Sequence, residues 1–251
     1  MKISIIAGFA LIFLFSHCGD SVNELTGDGI VTVGIYADEG ASGVCYIAAE
    51  NMFRWMGFET ERIYASTLNE GNIEHIDIFY FPGGASSLYD TYINDTGKQR
   101  LLDAIYTGRG YIGTCGGAYY ATYGLGIFPG VMNGNGIPSL DIGMCQVYLN
   151  AHPIAEDQPA CLWIMYVGSP SFIPDTNATV DVVGFYNLGG GAALVAFQHG
   201  EGRVFLTGPH PEWEEDSDRD GVANYDVFDD VESDWPMMHN AARWCLYDLE
   251  E

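Results

Sequence analysis

Basic residues are scarce in this chain of 251 residues. It has nine Lys and Arg against 34 Asp and Glu, which gives a formal net charge of −25, and lysine occurs only at Lys2 and Lys98. A surface with this charge repels phosphate backbones and anionic lipid headgroups. We therefore expect no nucleic-acid partner.

The cysteine motifs of zinc proteins are also absent. There is no CxxC pair and no cluster of Cys and His at the spacing of a zinc site, and we predict no organic cofactor. Six cysteines are present, and the five besides Cys18 are an odd number, so at least one thiol is unpaired if no intermolecular bond forms. Cys145 and Cys161 are a candidate disulfide that the sequence leaves open.

The apolar run near the N-terminus, residues 3–15, is too short to span a bilayer comfortably as a permanent helix. It follows Lys2 and precedes Cys18, so we predict an export signal over residues 1–17. Cys18 stands where a bacterial lipoprotein signal has its lipidated cysteine, although His17 replaces the usual small residue; ordinary signal cleavage nearby is the alternative. We expect the protein in the cell envelope, as a periplasmic or surface lipoprotein anchored through Cys18, or secreted.

After a polar linker, residues 18–29, predicted strands alternate with predicted helices. The β-branched run of residues 29–38 and the apolar run of residues 75–84 are typical of buried parallel strands. Between these two strands, apolar residues recur at helical spacing up to Gly57, which predicts a helix that ends there. The alternation predicts one α/β domain over residues 30–251, with a mostly parallel sheet flanked by helices.

The middle of the chain is less regular. Residues 125–180 are rich in Gly, Pro and Asn, and we interpret them as loops with short strands. The segment "HGEGR", residues 199–203, predicts a turn between two strands. Residues 235–251 have the pattern of an amphipathic helix, with Pro236 near its start.

A single cysteine stands among glycines in "GTCGG", residues 113–117. The pattern fits a nucleophile elbow, in which Cys115 lies on a tight turn between a strand and a helix whose N-terminus favours the thiolate. The backbone N–H groups of Gly116 and of Gly84, in the "PGG" turn, would stabilise an oxyanion. The alternative is a buried cysteine in a glycine-rich turn, and the local pattern alone does not decide between them.

A second segment, "LTGPHPEW", favours the nucleophile. His210 and Glu212 stand two residues apart after an apolar strand, so their side chains lie on the same side of an extended segment. A thiol nucleophile needs such a base, and the base needs an acceptor that orients it. The strand can end at the same sheet edge as Cys115.

Three motifs, "FPGGASSLY", "GRGYIGTCGGAYYA" and "GRVFLTGPHPE", together resemble a known family. They are similar to the N-terminal domain of eukaryotic biotin–protein ligases, which also occurs as a free-standing protein, within the class I glutamine amidotransferase-like superfamily. The resemblance covers about residues 30–250 and implies a flavodoxin-like fold. It implies Cys115 as the nucleophile, His210 as the base and Glu212 as the residue that orients it.

An acidic stretch, "DSDRDGVANYD", begins at residue 216 and matches the first half of a calcium loop. The candidate ligands are Asp216, Asp218, Asp220 and Asn224. Val227 occupies the position where an acidic ligand would close the shell, so the loop departs from the full pattern. We predict a structural calcium ion here; a solvated acidic surface loop is the alternative.

These features lead to two hypotheses about function. The first is an exported cysteine-dependent amidase or amidotransferase-like hydrolase that acts on a small-molecule or peptide amide through a thioester. The second is a non-catalytic protein that keeps the fold and binds a small ligand or serves as a scaffold. Tyr89, Tyr119, Tyr120 and Tyr123 would line a pocket in either case, or pack in the core.

Overall fold

The computed structural model describes residues 30–214, 218–228 and 233–247. The predicted signal peptide, the linker and Cys18 lie outside these residues. None of the helices described is both long and apolar enough to cross a membrane.

The described elements are eleven strands and six helices. The strands are β1 (Thr32–Tyr36), β2 (Glu59–Ile63), β3 (Ile78–Phe81), β4 (Gly110–Thr114), β5 (Gly130–Asn133), β6 (Ile142–Leu149), β7 (Cys161–Val167), β8 (Ser171–Pro174), β9 (Asp181–Tyr186), β10 (Ala192–His199) and β11 (Gly202–Thr207). The helices are α1 (Gly43–Trp55), α2 (Ala65–Glu70), α3 (Ser86–Tyr92), α4 (Asp95–Tyr106), α5 (Gly116–Tyr119), which a π-helical turn (Tyr120–Gly124) continues, and α6 (Trp235–Cys245). Pro153–Ala155 and Asp218–Asp220 form 3-10 turns.

Half of the sheet is parallel, in the order β2-β1-β3-β4-β11. Its central strand β3 is buried on both faces: Ile78 and Tyr80 pack in one core cluster, and Phe79 and Phe81 pack in the other. Helices supply the rest of both clusters, which is why the strand is a continuous apolar run. The predicted α/β fold, in which a parallel sheet is flanked by helices, is confirmed for this half of the sheet.

Antiparallel strands extend the sheet from β11 in the order β10-β9-β6-β7. The predicted strand–turn–strand unit is the β10–β11 hairpin, and the predicted amphipathic helix is α6. The interpretation of residues 125–180 as loops with short strands was wrong for β6 and β7, which have eight and seven residues. Alternate residues of β6 are buried, as in a strand with one face in the core.

All five described cysteines are free thiols. Cys145 lies opposite Ile164 and Cys161 lies opposite Tyr148 across β6 and β7, so the candidate Cys145–Cys161 disulfide does not form. Burial raises the pKa of the Cys145 thiol and that of the Cys245 thiol. These two cysteines are therefore core residues that stay protonated near neutral pH.

Candidate active site

Cys115 lies directly after the carboxyl end of β4 and directly before α5. Its backbone has φ +47° and ψ −99°, a conformation that residues with a Cβ rarely adopt. Its N–H donates to the carbonyl of Thr207, 2.9 Å away, which ties the turn to the end of β11. This is the strand–turn–helix arrangement of a nucleophile elbow, with the thiol half-buried.

The glycines after Cys115 are needed because two chain segments approach closely there. A Cβ on Gly117 would lie 1.9 Å from the carbonyl oxygen of Phe81, and a Cβ on Gly116 would lie 2.5 Å from that of Gly84. The β3 strand end and the start of α5 therefore touch backbone to backbone.

The same close approach brings the two predicted oxyanion donors together. A Cβ on Gly116 would lie 2.6 Å from the backbone nitrogen of Gly84. In the described part of the chain, no backbone carbonyl accepts from either N–H, whereas the N–H of Gly117 donates to the carbonyl of Pro82. The buried Tyr89 hydroxyl donates to that same carbonyl over 3.0 Å, which steadies the loop that holds Gly84.

His210 and Glu212 form a buried pair beside Cys115. The His210 Nδ1 donates to Glu212 Oε1 over 2.9 Å, and the imidazole interacts electrostatically with the Cys115 sulfur. Burial by itself lowers the pKa of His210. The Glu212 carboxylate and the Cys115 sulfur outweigh burial, so the pKa stands well above its ordinary value. The raised pKa makes the imidazole a stronger base for the Cys115 proton, and the imidazolium that forms stabilises the thiolate.

A bridge to the antiparallel half of the sheet fixes the position of His210. Its N–H donates to the carbonyl of Met165 in β7 over 2.8 Å. Trp213 stacks on the imidazole with ring centroids 4.3 Å apart and planes 12° apart. The sequence analysis missed Trp213, although this residue stands in the quoted "LTGPHPEW" segment and follows Glu212 directly in the chain.

The sequence analysis also missed Cys45. Its Sγ lies 3.9 Å from His210 Nδ1, and burial raises the pKa of this thiol. Cys45 is in the first turn of α1, which follows β1, and the carboxyl ends of parallel strands meet at one sheet edge. Because Cys45 shares no local motif with His210, only its position just after a parallel strand could have indicated that it lies near the site.

The four tyrosines of the predicted pocket divide into two groups. Tyr89 and Tyr120 are fully buried in the core. Tyr119 is half-buried and stacks on Tyr123, with ring centroids 6.1 Å apart, and Tyr123 is 61% exposed. The second pair therefore offers an aromatic surface on the helix that Cys115 begins.

The acidic stretch is described only in part. Asp216 and the side chain of Asp218 lie outside the described residues, and Asn224 is exposed. The buried Asp220 carboxylate accepts from the backbone N–H of Glu214 over 3.1 Å and from that of Val222 over 3.0 Å. The loop is thereby tied to the chain two residues after Glu212.

Calcium in the millimolar range is expected to raise the melting temperature of the metal-stripped protein. An ion bound only to the folded state stabilises it by about 2.7 kcal/mol at a hundredfold excess over Kd. Calorimetry at moderate salt checks this. Asp218→Ala should lose most of the shift, while Asp175→Ala, in an exposed loop elsewhere, should keep it. If calcium does not change the melting temperature of the wild type, or if magnesium shifts it equally, the stretch is a solvated acidic surface loop and not a calcium site.

Comparison with known proteins supports the resemblance to the biotin–protein ligase N-terminal domain and the predicted amidotransferase-like fold. Residues 31–130 match the family model "Biotin-protein ligase, N terminal". The biotin–protein ligase of Schizosaccharomyces pombe is 26% identical over 207 residues, which cover 71% of this chain and 33% of that enzyme. A protein of Chlamydia muridarum is 28% identical over 163 residues, which cover 56% of this chain and 62% of that protein. The chain thus spans less than two thirds of the length of these two relatives.

Two solved structures from Thermotoga maritima share the fold. A glutamine amidotransferase superposes with a TM-score of 0.60 at 10% identity, covering 86% of this chain and 98% of that one. PurLQS superposes with a TM-score of 0.61 at 16% identity, covering 86% of this chain and 99% of that one.

The chain therefore has the class I glutamine amidotransferase-like fold. Within that fold, residues 31–130 are similar to the N-terminal domain of biotin–protein ligases, the family that the motifs resemble.

Proposed function

We propose that this protein is a cysteine-dependent hydrolase of amide bonds that acts through a thioester. The observation that carries the proposal is the strained backbone of Cys115, whose sulfur interacts electrostatically with an imidazole that Glu212 orients. Strain of this kind persists where the surrounding structure fixes it and is frequent at catalytic positions.

The reaction begins with transfer of the Cys115 proton to His210. Because Nδ1 donates to Glu212, Nε2 is the nitrogen that takes this proton. The thiolate attacks the amide carbonyl, and the N–H groups of Gly84 and Gly116 stabilise the oxyanion. As the C–N bond breaks, the leaving amine takes the proton back from Nε2, and Cys115 is left as a thioester.

Water completes the cycle. His210 removes a proton from the water, which attacks the thioester carbonyl, and Cys115 leaves as a thiolate that His210 reprotonates. Glu212 keeps the imidazole in the tautomer with hydrogen on Nδ1, and the stacked Trp213 holds the ring plane. The product is a carboxylic acid together with the released amine.

We propose a small-molecule or peptide amide as the substrate, because no residues stand out as ligands for the backbone of free glutamine. We also propose export, as a lipoprotein anchored through Cys18 or as a secreted protein, from the apolar run of residues 3–15. Transfer of ammonia to a synthetase partner outside the cytoplasm is improbable, which favours water as the acceptor.

Alkylation of the thiols near neutral pH distinguishes this function from ligand binding alone. With a limiting amount of iodoacetamide and mass mapping, Cys115 of the wild type is expected to react well before the other thiols. His210→Ala removes the charge that stabilises the thiolate, so the rate at Cys115 should fall about tenfold or more. Glu212→Gln should cause a smaller fall, since the base is still present.

The matched control is His75→Ala, which removes an imidazole that is 53% exposed and paired with Glu61, outside the site. Its Cys115 should react at the wild-type rate. Equal rates at Cys115 in the wild type, His210→Ala and Glu212→Gln would show that no activated thiol exists, and would favour a non-catalytic ligand-binding protein.

A further inference from the structure

Three buried side chains with the chemistry of metal ligands converge beside Cys115. The Sγ of Cys45, a ring nitrogen of His210 and a carboxylate oxygen of Glu212 all lie within 4.8 Å of one another. The side chains are almost fully buried, with exposed fractions of 2%, 3% and 0%. Cys115 is not a member of the group, although its sulfur interacts electrostatically with the same imidazole.

The distances are close to those of a tetrahedral zinc site. Zinc bonds of about 2.3 Å to sulfur and about 2.1 Å to nitrogen and oxygen separate S from N by about 3.6 Å and N from O by about 3.4 Å. The observed separations are 3.9 Å from Cys45 Sγ to His210 Nδ1 and 2.9 Å from Nδ1 to Glu212 Oε1. Shifts of a few tenths of an ångström would correct these two separations, and the carboxylate oxygen lies within 4.8 Å of the sulfur.

The surroundings of the group also suit a cation. The second carboxylate oxygen of Glu212, Oε2, is buried and has no hydrogen-bond partner in the described residues. A buried, unpaired carboxylate oxygen is costly, and a metal ion would satisfy it. Gly83 lines the same space, since a Cβ there would lie 3.1 Å from Cys45 Sγ and 2.6 Å from His210 Cε1.

We propose that Cys45, His210 and Glu212 bind a soft divalent metal ion such as zinc, and that the bound metal switches off the base of the triad. One thiolate and one carboxylate neutralise the two charges of the ion, and a neutral imidazole completes three protein ligands, with water as the fourth. The ligands come from positions 45, 210 and 212, so no local zinc motif is visible in the sequence.

Protons move in a defined way when the metal binds. Cys45 loses its thiol proton to solvent as the S–metal bond forms. His210 loses the Nδ1 hydrogen, which it donated to Glu212, to solvent, gains one from solvent on Nε2, and binds the metal through Nδ1. The imidazole then carries its hydrogen on Nε2. In that tautomer it donates toward Cys115 and has no lone pair to accept the Cys115 proton, so the nucleophile is no longer activated.

A direct binding measurement tests the site without any assumption about hydrolysis. The reduced, metal-stripped protein is titrated with zinc against a chromophoric chelator, in excess calcium to saturate the aspartate loop. Wild type and Cys161→Ala, which lacks a thiol on β7, should bind one zinc with the same affinity. Cys45→Ala should bind about a hundredfold more weakly or worse, because loss of a partner that merely orients a ligand already costs about 10–100-fold. Wild-type affinity in Cys45→Ala would overturn the proposal.

If Cys45→Ala does not fold, cobalt binding to a different variant tests the same site. Cobalt bound to Cys115→Ala should still show a thiolate-to-metal charge-transfer band, since the proposed ligand thiol is Cys45. Loss of the band in Cys115→Ala would place the metal on the nucleophile and overturn the site. Zinc should also slow alkylation of Cys115 in the wild type, and unchanged alkylation by zinc-loaded protein would overturn the switch while leaving the hydrolase proposal untouched.

Discussion

Replacing Cys115 by alanine is expected to abolish amide hydrolysis while the protein stays folded. Removal of a nucleophile from a triad lowers kcat by a factor on the order of 10⁴ or more, because the remaining groups stabilise charge but cannot form the thioester. Alanine keeps the Cβ and loses only the half-buried sulfur, so the free energy of unfolding should change by no more than about 1 kcal/mol. Turnover of an amide panel and a thermal melt measure the two effects.

The matched control is Cys161→Ala, since Cys161 is also a free, half-buried thiol but stands in β7, outside the site. It should keep wild-type turnover. Undiminished turnover in Cys115→Ala would refute the assignment of the nucleophile. A melting temperature lowered by more than about 4 °C in Cys115→Ala would show that the thiol has a structural role instead.

Replacing Gly117 by alanine is expected to destabilise the whole fold. Its Cβ would meet the Phe81 carbonyl oxygen at 1.9 Å, where both partners belong to packed backbone and neither can rotate away. The β3 end and α5 must separate, at a cost of about 3 kcal/mol or more. The melting temperature should fall by about 6 °C or more, as differential scanning calorimetry would measure.

Gly43→Ala provides the comparison, because Gly43 begins α1 and a Cβ there would have only the Tyr46 hydroxyl at 4.0 Å. That variant should have the wild-type melting temperature or a slightly higher one. Equal melting temperatures for the two alanine variants would show that there is room for a side chain at Gly117. The close approach of Gly117 to the Phe81 carbonyl would then be refuted.

Much of the candidate site could be predicted because its signals are local. His210 and Glu212 are two residues apart, and the glycines around Cys115 stand next to it in the chain. The sequence analysis expected that the strand before His210 can end at the same sheet edge as Cys115, and β4 and β11 are parallel neighbours in the sheet. Cys115 follows β4 and His210 follows β11, so both residues lie at the same edge of the sheet.

Cys45 could not be predicted in the same way. It is 165 residues from His210, and only the packing of α1 against the sheet edge brings the two together. The strands β6 and β7 were underestimated for a different reason. The glycines and prolines around them suggested loops, whereas the pairing of β6 with β7 and with β9 outweighs this local composition.

The central claim is that Cys115 is a nucleophile that His210 activates and that water releases from its thioester. An activated ester, 4-nitrophenyl acetate, tests it because it acylates the nucleophile whatever the natural leaving group is. Intact-mass and peptide analysis of quenched samples should find one acetyl group on Cys115, formed more slowly in His210→Ala and lost on standing as water completes the cycle. Acetylation at other residues only, or at the same rate on Cys115 with and without the His210 imidazole, would contradict the account.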